Sequence, residues 1–82
     1  SATSTAANIA EGCARDRRAE FAHFLRIALG SSTETEYHLL LARDLGYLSP
    51  DIHSSLSADA VEIQRMLGAF IRRLTEQPAT PD

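Results

Sequence analysis

The sequence predicts an all-α protein, a helical bundle, on three observations. Apolar residues recur every three or four positions through two long stretches, Phe21 to Leu45 and Leu56 to Leu74. With no Trp, two Tyr and three Phe in 82 residues, the core must be mostly Leu, Ile and Ala. Between the two stretches, Leu45-Gly46-Tyr47-Leu48 followed by Ser49-Pro50-Asp51 carries the marks of one helix ending and another beginning. Three helices are expected, at about 1–14, 17–46 and 50–76, in one domain over 1–77 with a disordered tail at 78–82. A chain of this size buries only roughly 60% of the surface its unfolded form exposes, so stability is a real constraint.

From Ser1 to about Ala14, Ala2, Ala6, Ile9, Ala10 and Cys13 gather on one side of a helix, and Cys13 reads as a small core residue. The other side is polar. Ser4, Asn8, Glu11, Gly12 and Arg15 fall close together by helical geometry, with Glu11 and Arg15 four residues apart. These residues read either as a solvated surface with one weak ion pair or as a fixed polar seam offered to a neighbour or ligand. The chain opens at Ser1, without Met, in what reads as the middle of a helix, so a preceding segment is expected.

Residues Cys13 to Arg18 break the periodicity and are expected to turn the chain, with Asp16 capping the next helix. Along that helix Phe21, Phe24, Leu25, Ala28, Ser32, Thr35, Leu39 and Ala42 form the expected core stripe. Ile27, Leu41 and Leu45 fall on a second stripe, which calls for a further contact, in a bundle or an oligomer. The small residues Gly30 to Thr35 disfavour helix but let another backbone come close, so a neighbour should cross there. In the last helix Leu56, Ala60, Ile63, Leu67, Phe70 and Leu74 make the expected seam, leaving Ile71 with Ile27, Leu41 and Leu45 as candidate oligomer contacts.

A net charge of −3 argues against strong whole-molecule attraction to nucleic acid, so any such binding has to be local. Arg15, Arg17 and Arg18 are the densest positive charge and the candidate phosphate contacts, although Asp16 and Glu20 partly cancel their field. Glu20 with His23 and Glu34 with His38 have ligand-like spacings, but too few helices contribute for a di-metal site, and no metal or cofactor is expected. No catalytic residues are identifiable, and one cysteine allows no internal disulfide, which fits a reducing cytoplasm. No apolar run is long enough for a membrane span.

Ser4, Asn8-Ile9-Ala10-Glu11-Gly12 and Arg15, then Glu20-Phe21, Phe24-Leu25, Ala28, Gly30-Ser31, Glu34 and Leu45-Gly46-Tyr47-Leu48 resemble the small bacterial proteins encoded in intervening sequences of 23S ribosomal RNA genes. The resemblance implies an antiparallel up-and-down four-helix bundle that assembles into homopentamers, with the first helix missing from this chain. It is also a likeness in fold to the accessory protein of diversity-generating retroelements, which binds nucleic acid and a reverse transcriptase. The signature positions it implies are Ser4, Asn8, Glu11, Gly12 and Arg15. Expected partners are therefore copies of the chain, RNA, or another protein. The acidic balance departs from the basic, Lys-rich turns common in that family.

Overall fold

The computed structural model describes residues 2–76. It is a hairpin of two long helices, α1 (Ala2–Asp44) and α2 (Pro50–Thr75), and among the described residues there is no strand. The all-α class stands, but the described chain holds two helices and not three. The expected turn at Cys13 to Arg18 is absent, because α1 runs through it without interruption. The physical reason is local: Ala14, Arg15, Arg17 and Arg18 are all good helix formers, no Pro intervenes, and one Asp costs only a few tenths of a kcal/mol. Asp16 is therefore an interior helix residue and caps nothing. The polar run Ser54 to Ser57 likewise stays helical. The expected tail at 78–82 lies outside the described residues.

The joint between the helices follows the sequence closely. Gly46 adopts φ +86°. The Tyr47 N–H donates to the Ala42 carbonyl at 2.9 Å and the Gly46 N–H to that of Arg43 at 3.0 Å, the paired closure of a left-handed helix end. Ser49 then caps α2, its hydroxyl accepting from the Ile52 N–H at 3.2 Å, with Pro50 at the first helical position and Asp51 on the positive dipole end. A Cβ on Gly46 would meet nothing within 4 Å, so only its backbone conformation demands glycine. Gly46→Ala should therefore cost about 1 kcal/mol, read as a lower urea midpoint with an unchanged slope.

Phe21 packs on Phe70 with ring centroids 5.4 Å apart, and the Ser32 hydroxyl reaches the Ala60 carbonyl at 3.5 Å, so the helices are antiparallel and their register is fixed. The close approach expected in the Gly30 to Thr35 stretch is made at Ser32, while Gly30 is exposed. The residues of α1 that face α2 are Ala22, Leu25, Leu29, Ser32, Glu36 and Leu39; those of α2 are Ser57, Ala60, Gln64, Leu67, Ile71 and Leu74. Both sets alternate three and four residues, the spacing of a coiled-coil seam. Among the described residues, those buried are Ala22, Ala60 and Ile71.

Each seam is rotated from the stripe expected. Leu56, Ile63 and Phe70 were to face α1, but Ser57, Gln64 and Ile71, one position along, do so. Ala60, Leu67 and Leu74 stand in the seam as expected, as do Leu25, Ser32 and Leu39 on α1, so the rotation is about half a position, roughly 50°, and it carries the largest apolar residues out to one side of the hairpin. On α1 the shift is the same, with Ala22 inside at 0% exposure and Phe21 and Phe24 outside at 47% and 60%. Ile71 is therefore not an oligomer contact: it closes the hairpin itself. Ile27, Leu41 and Leu45 are exposed as expected.

Candidate functional site

A helix of 43 residues cannot be covered by one of 26. By the register above α2 ends beside Arg15 to Ala19, and the first part of α1 runs on alone. Extended in that direction, the seam line passes from Ala22 back through Arg18, Arg15, Glu11, Asn8 and Ser4, again in steps of three and four. The polar signature thus occupies the strip of α1 that would face α2 if α2 were longer. Among the described residues no part of α2 faces this strip ahead of Arg15.

At the boundary a cleft of about 250 Å³ is lined by Arg15, Arg18, Ala19, Leu74, Thr75 and Glu76. The C-terminal end of α2 borders it, closed by the Glu76 N–H donating to the Arg72 carbonyl at 2.8 Å, and Arg15 and Arg18 place positive charge at that negative dipole end. The two guanidiniums share one side of α1 because three residues separate them. Arg17 is about 200° of helical rotation from Arg15 and so lies on the other side. The three arginines expected to act as one phosphate grip are split into a pair and a single residue. Glu11 and Arg15 stand four apart, yet the ion pairs among the described residues are Glu34–His38 at 3.7 Å, Arg43–Asp44 at 3.0 Å and Glu62–Arg65. A Cβ on Gly12 would meet nothing within 4 Å, so nothing inside the described chain calls for its small size. Cys13, expected in the core, is exposed because α1 has no partner along this part.

One polar group that matters was not legible beforehand. Glu36 lies half-buried in the seam, where its carboxylate accepts from the Gln64 amide at 3.2 Å and the Ser57 hydroxyl at 3.4 Å. Beside it Thr33, Tyr37, Leu40 and His53 complete a shallow cleft of about 320 Å³. The available signal was the line Leu25, Leu29, Ser32, Glu36 and Leu39, whose alternation of four and three admits a carboxylate into a helix seam. Among the described residues no group of three or more His, Cys, Asp or Glu is gathered as metal ligands, and no helix is long and apolar enough to cross a membrane.

Glu62 and Arg65 pair on the outer face of α2. Hydrogen bonding and charge attraction from Arg65 hold the Glu62 carboxyl below its ordinary value, and Glu62 raises Arg65 in return. A depressed carboxyl favours the folded state above its unfolded titration point and loses that contribution as pH falls through the folded one. Following Glu62 by carbon-13 NMR should give a midpoint below that of an unpaired glutamate, and Arg65→Gln should raise it again. Both groups are fully exposed, so this is a test of contact and not of stability.

No curated protein and no solved structure matches the chain. A family model described as 23S rRNA-intervening sequence protein matches residues 1–69, a span that takes in the polar signature, the whole of α1, the joint and most of α2. Since that match covers well over half of the sequence, the chain belongs to the 23S rRNA-intervening sequence protein family.

Proposed function

We propose that this is a non-enzymatic, cytoplasmic, RNA-associated helical protein that works as an assembly of its own copies and contacts phosphate through Arg15, Arg18 and Arg17. Membership of a family defined by 23S rRNA intervening sequences carries this reading. The exposed polar strip that ends at Arg15 and Arg18 supports it, because the two guanidiniums on one side of a helix can meet successive phosphates. The net charge of −3 makes the contact local, and hence strongly dependent on those few side chains.

Ultraviolet crosslinking of the tagged protein in its own cells, followed by recovery of attached RNA, tests the reading. RNA should be recovered with the natural sequence and lost when Arg15, Arg17 and Arg18 are changed to Glu. In vitro, Arg15→Gln and Arg18→Gln should each flatten the dependence of log affinity on log salt by about 0.7 for a single-stranded target. Salt-independent binding, or no RNA above background with either protein, defeats it. A second reading, a scaffold for a protein partner without nucleic acid, is favoured by one observation: the apolar side of the hairpin, where Phe24 and Ile63 are 60% and 50% exposed.

A further inference from the structure

The cleft of about 320 Å³ beside Glu36 lies on the opposite side of the seam from the exposed phenylalanines. By helical geometry Thr33, Tyr37 and Leu40 stand about 40° to 100° to one side of Glu36, while Ser32, Thr35 and Leu39 stand as far to the other. Across from them α2 contributes His53 and Ser57. The lining thus sets one carboxylate beside an aromatic ring and a leucine side chain.

Among the described residues no cation pairs with that carboxylate. Glu36 is half-buried, and its two hydrogen bonds come from neutral groups, the Gln64 amide at 3.2 Å on Oε1 and the Ser57 hydroxyl at 3.4 Å on Oε2. The ion pairs use Glu34, Asp44 and Glu62 instead. A carboxylate drawn partly out of water favours a cation close by. The Thr33 hydroxyl does not compete for it, because it donates to the Leu29 carbonyl at 3.0 Å.

The free positions on Glu36 select the cation. A carboxylate offers about four acceptor sites, two on each oxygen. Gln64 and Ser57 fill one on each, so one remains on each, which is what the parallel N–H groups of a guanidinium fork require. Tyr37, 64% exposed, and Leu40, 39% exposed, add an aromatic ring and aliphatic surface for an unbranched stem. A metal ion is less well served, since among the described residues no group of three or more His, Cys, Asp or Glu is gathered.

The surrounding charge agrees. Between Ala28 and Gln64 the carboxylates are Glu34, Glu36, Asp44, Asp51, Asp59 and Glu62, and the one arginine, Arg43, is bonded to Asp44 at 3.0 Å. This half of the hairpin draws cations and repels phosphate, unlike the end that carries Arg15 and Arg18.

We propose that the cleft bordered by Tyr37, Leu40, His53 and Ser57 binds a guanidinium on an aliphatic stem, the group an arginine side chain carries, through a two-bond pairing with Glu36. The group comes from a free small cation or from an arginine of a polypeptide. The contact requires no RNA, so its failure would leave the RNA reading untouched.

The test is a titration of the full chain, free of nucleic acid, with butylguanidinium, followed by NMR at the backbone amides of Glu36, Tyr37 and Ser57 and the side-chain amide of Gln64. Half-saturation at about 1 mM is expected for a ligand of this size. Butylammonium, a charge without the fork, should bind at least about threefold more weakly, and butylurea, a fork without the charge, at least about tenfold. Glu36→Gln, with circular dichroism unchanged, should weaken butylguanidinium at least about tenfold. Tyr37→Ser, an exposed change outside the seam, should weaken it about threefold, and Glu62→Gln should change nothing. N-acetyl-arginine N-methylamide distinguishes the sources: binding within about threefold of butylguanidinium assigns the cleft to an arginine of a polypeptide, and weaker binding assigns it to a free small cation. No saturation by about 20 mM, equal binding of butylurea, or shifts undiminished in both Glu36→Gln and Tyr37→Ser overturns the proposal.

Discussion

Replacing Ile71 by Asp should abolish the hairpin, with a loss of about 3–5 kcal/mol seen as a collapse of the cooperative thermal transition in circular dichroism. Ile71 is 9% exposed and, with Ala22 and Ala60, makes up the buried core among the described residues. A carboxylate there would be taken out of water between two helices, and so small a core has no reserve to absorb the penalty. Leu41→Asp is the matched control. Leu41 is 44% exposed on the side of α1 turned away from α2, so its substitution should change stability by no more than about 0.5 kcal/mol. Read as sequence, the two residues look equivalent, each apolar and each off the main stripe; the structure separates them by their rotation about the helix.

Gln64→Leu should destabilise by about 1–2 kcal/mol even though it adds apolar surface to a seam. The Glu36 carboxylate would lose its 3.2 Å amide donor and keep only the longer bond from Ser57. Adding Glu36→Leu should recover most of the loss, since two apolar residues facing each other leave no group unsatisfied. The coupling between the two positions, measured by urea denaturation of both single variants and the double, should exceed about 1 kcal/mol in magnitude. Additive effects would mean that the carboxylate is served by solvent and not by the seam.

How far the sequence could be read divides along one physical line. Features written into a few adjacent residues were legible: the left-handed Gly46, the Ser49 cap, Pro50 at the start of α2, and the close approach at Ser32 all stand as their local chemistry implies. Features that depend on rotation were not. A spacing of three and four residues locates a helix but leaves its facing direction uncertain by a residue, and one residue moved Phe70 out and Ile71 in. The expectation that the most apolar stripe faces the nearest helix held for Leu25, Leu39, Ala60, Leu67 and Leu74 and failed for Phe21, Phe24, Leu56, Ile63 and Phe70, which the hairpin places toward a common side. The turn expected at Cys13 to Arg18 failed for a different reason. Loss of apolar periodicity there marks the end of the partner α2, and α1 continues past it on intrinsic helix preference alone. The signature residues were legible from spacing as one polar side of a helix and from resemblance as a signature, and only the structure shows that they continue the seam line.

That uncovered stretch of α1 also has a kinetic meaning. An isolated helix of about 15 residues is marginal in water, because tertiary contact and not intrinsic preference supplies most helical stability. Amide protons from Ala2 to Ala14 should therefore exchange with solvent orders of magnitude faster than those around Ala22 and Ala60, and a protease should nick the chain there first. Any surface that docks on Ser4, Asn8, Glu11 and Arg15 must hold the helix as well as the residues, so recognition there is coupled to a local coil-to-helix transition.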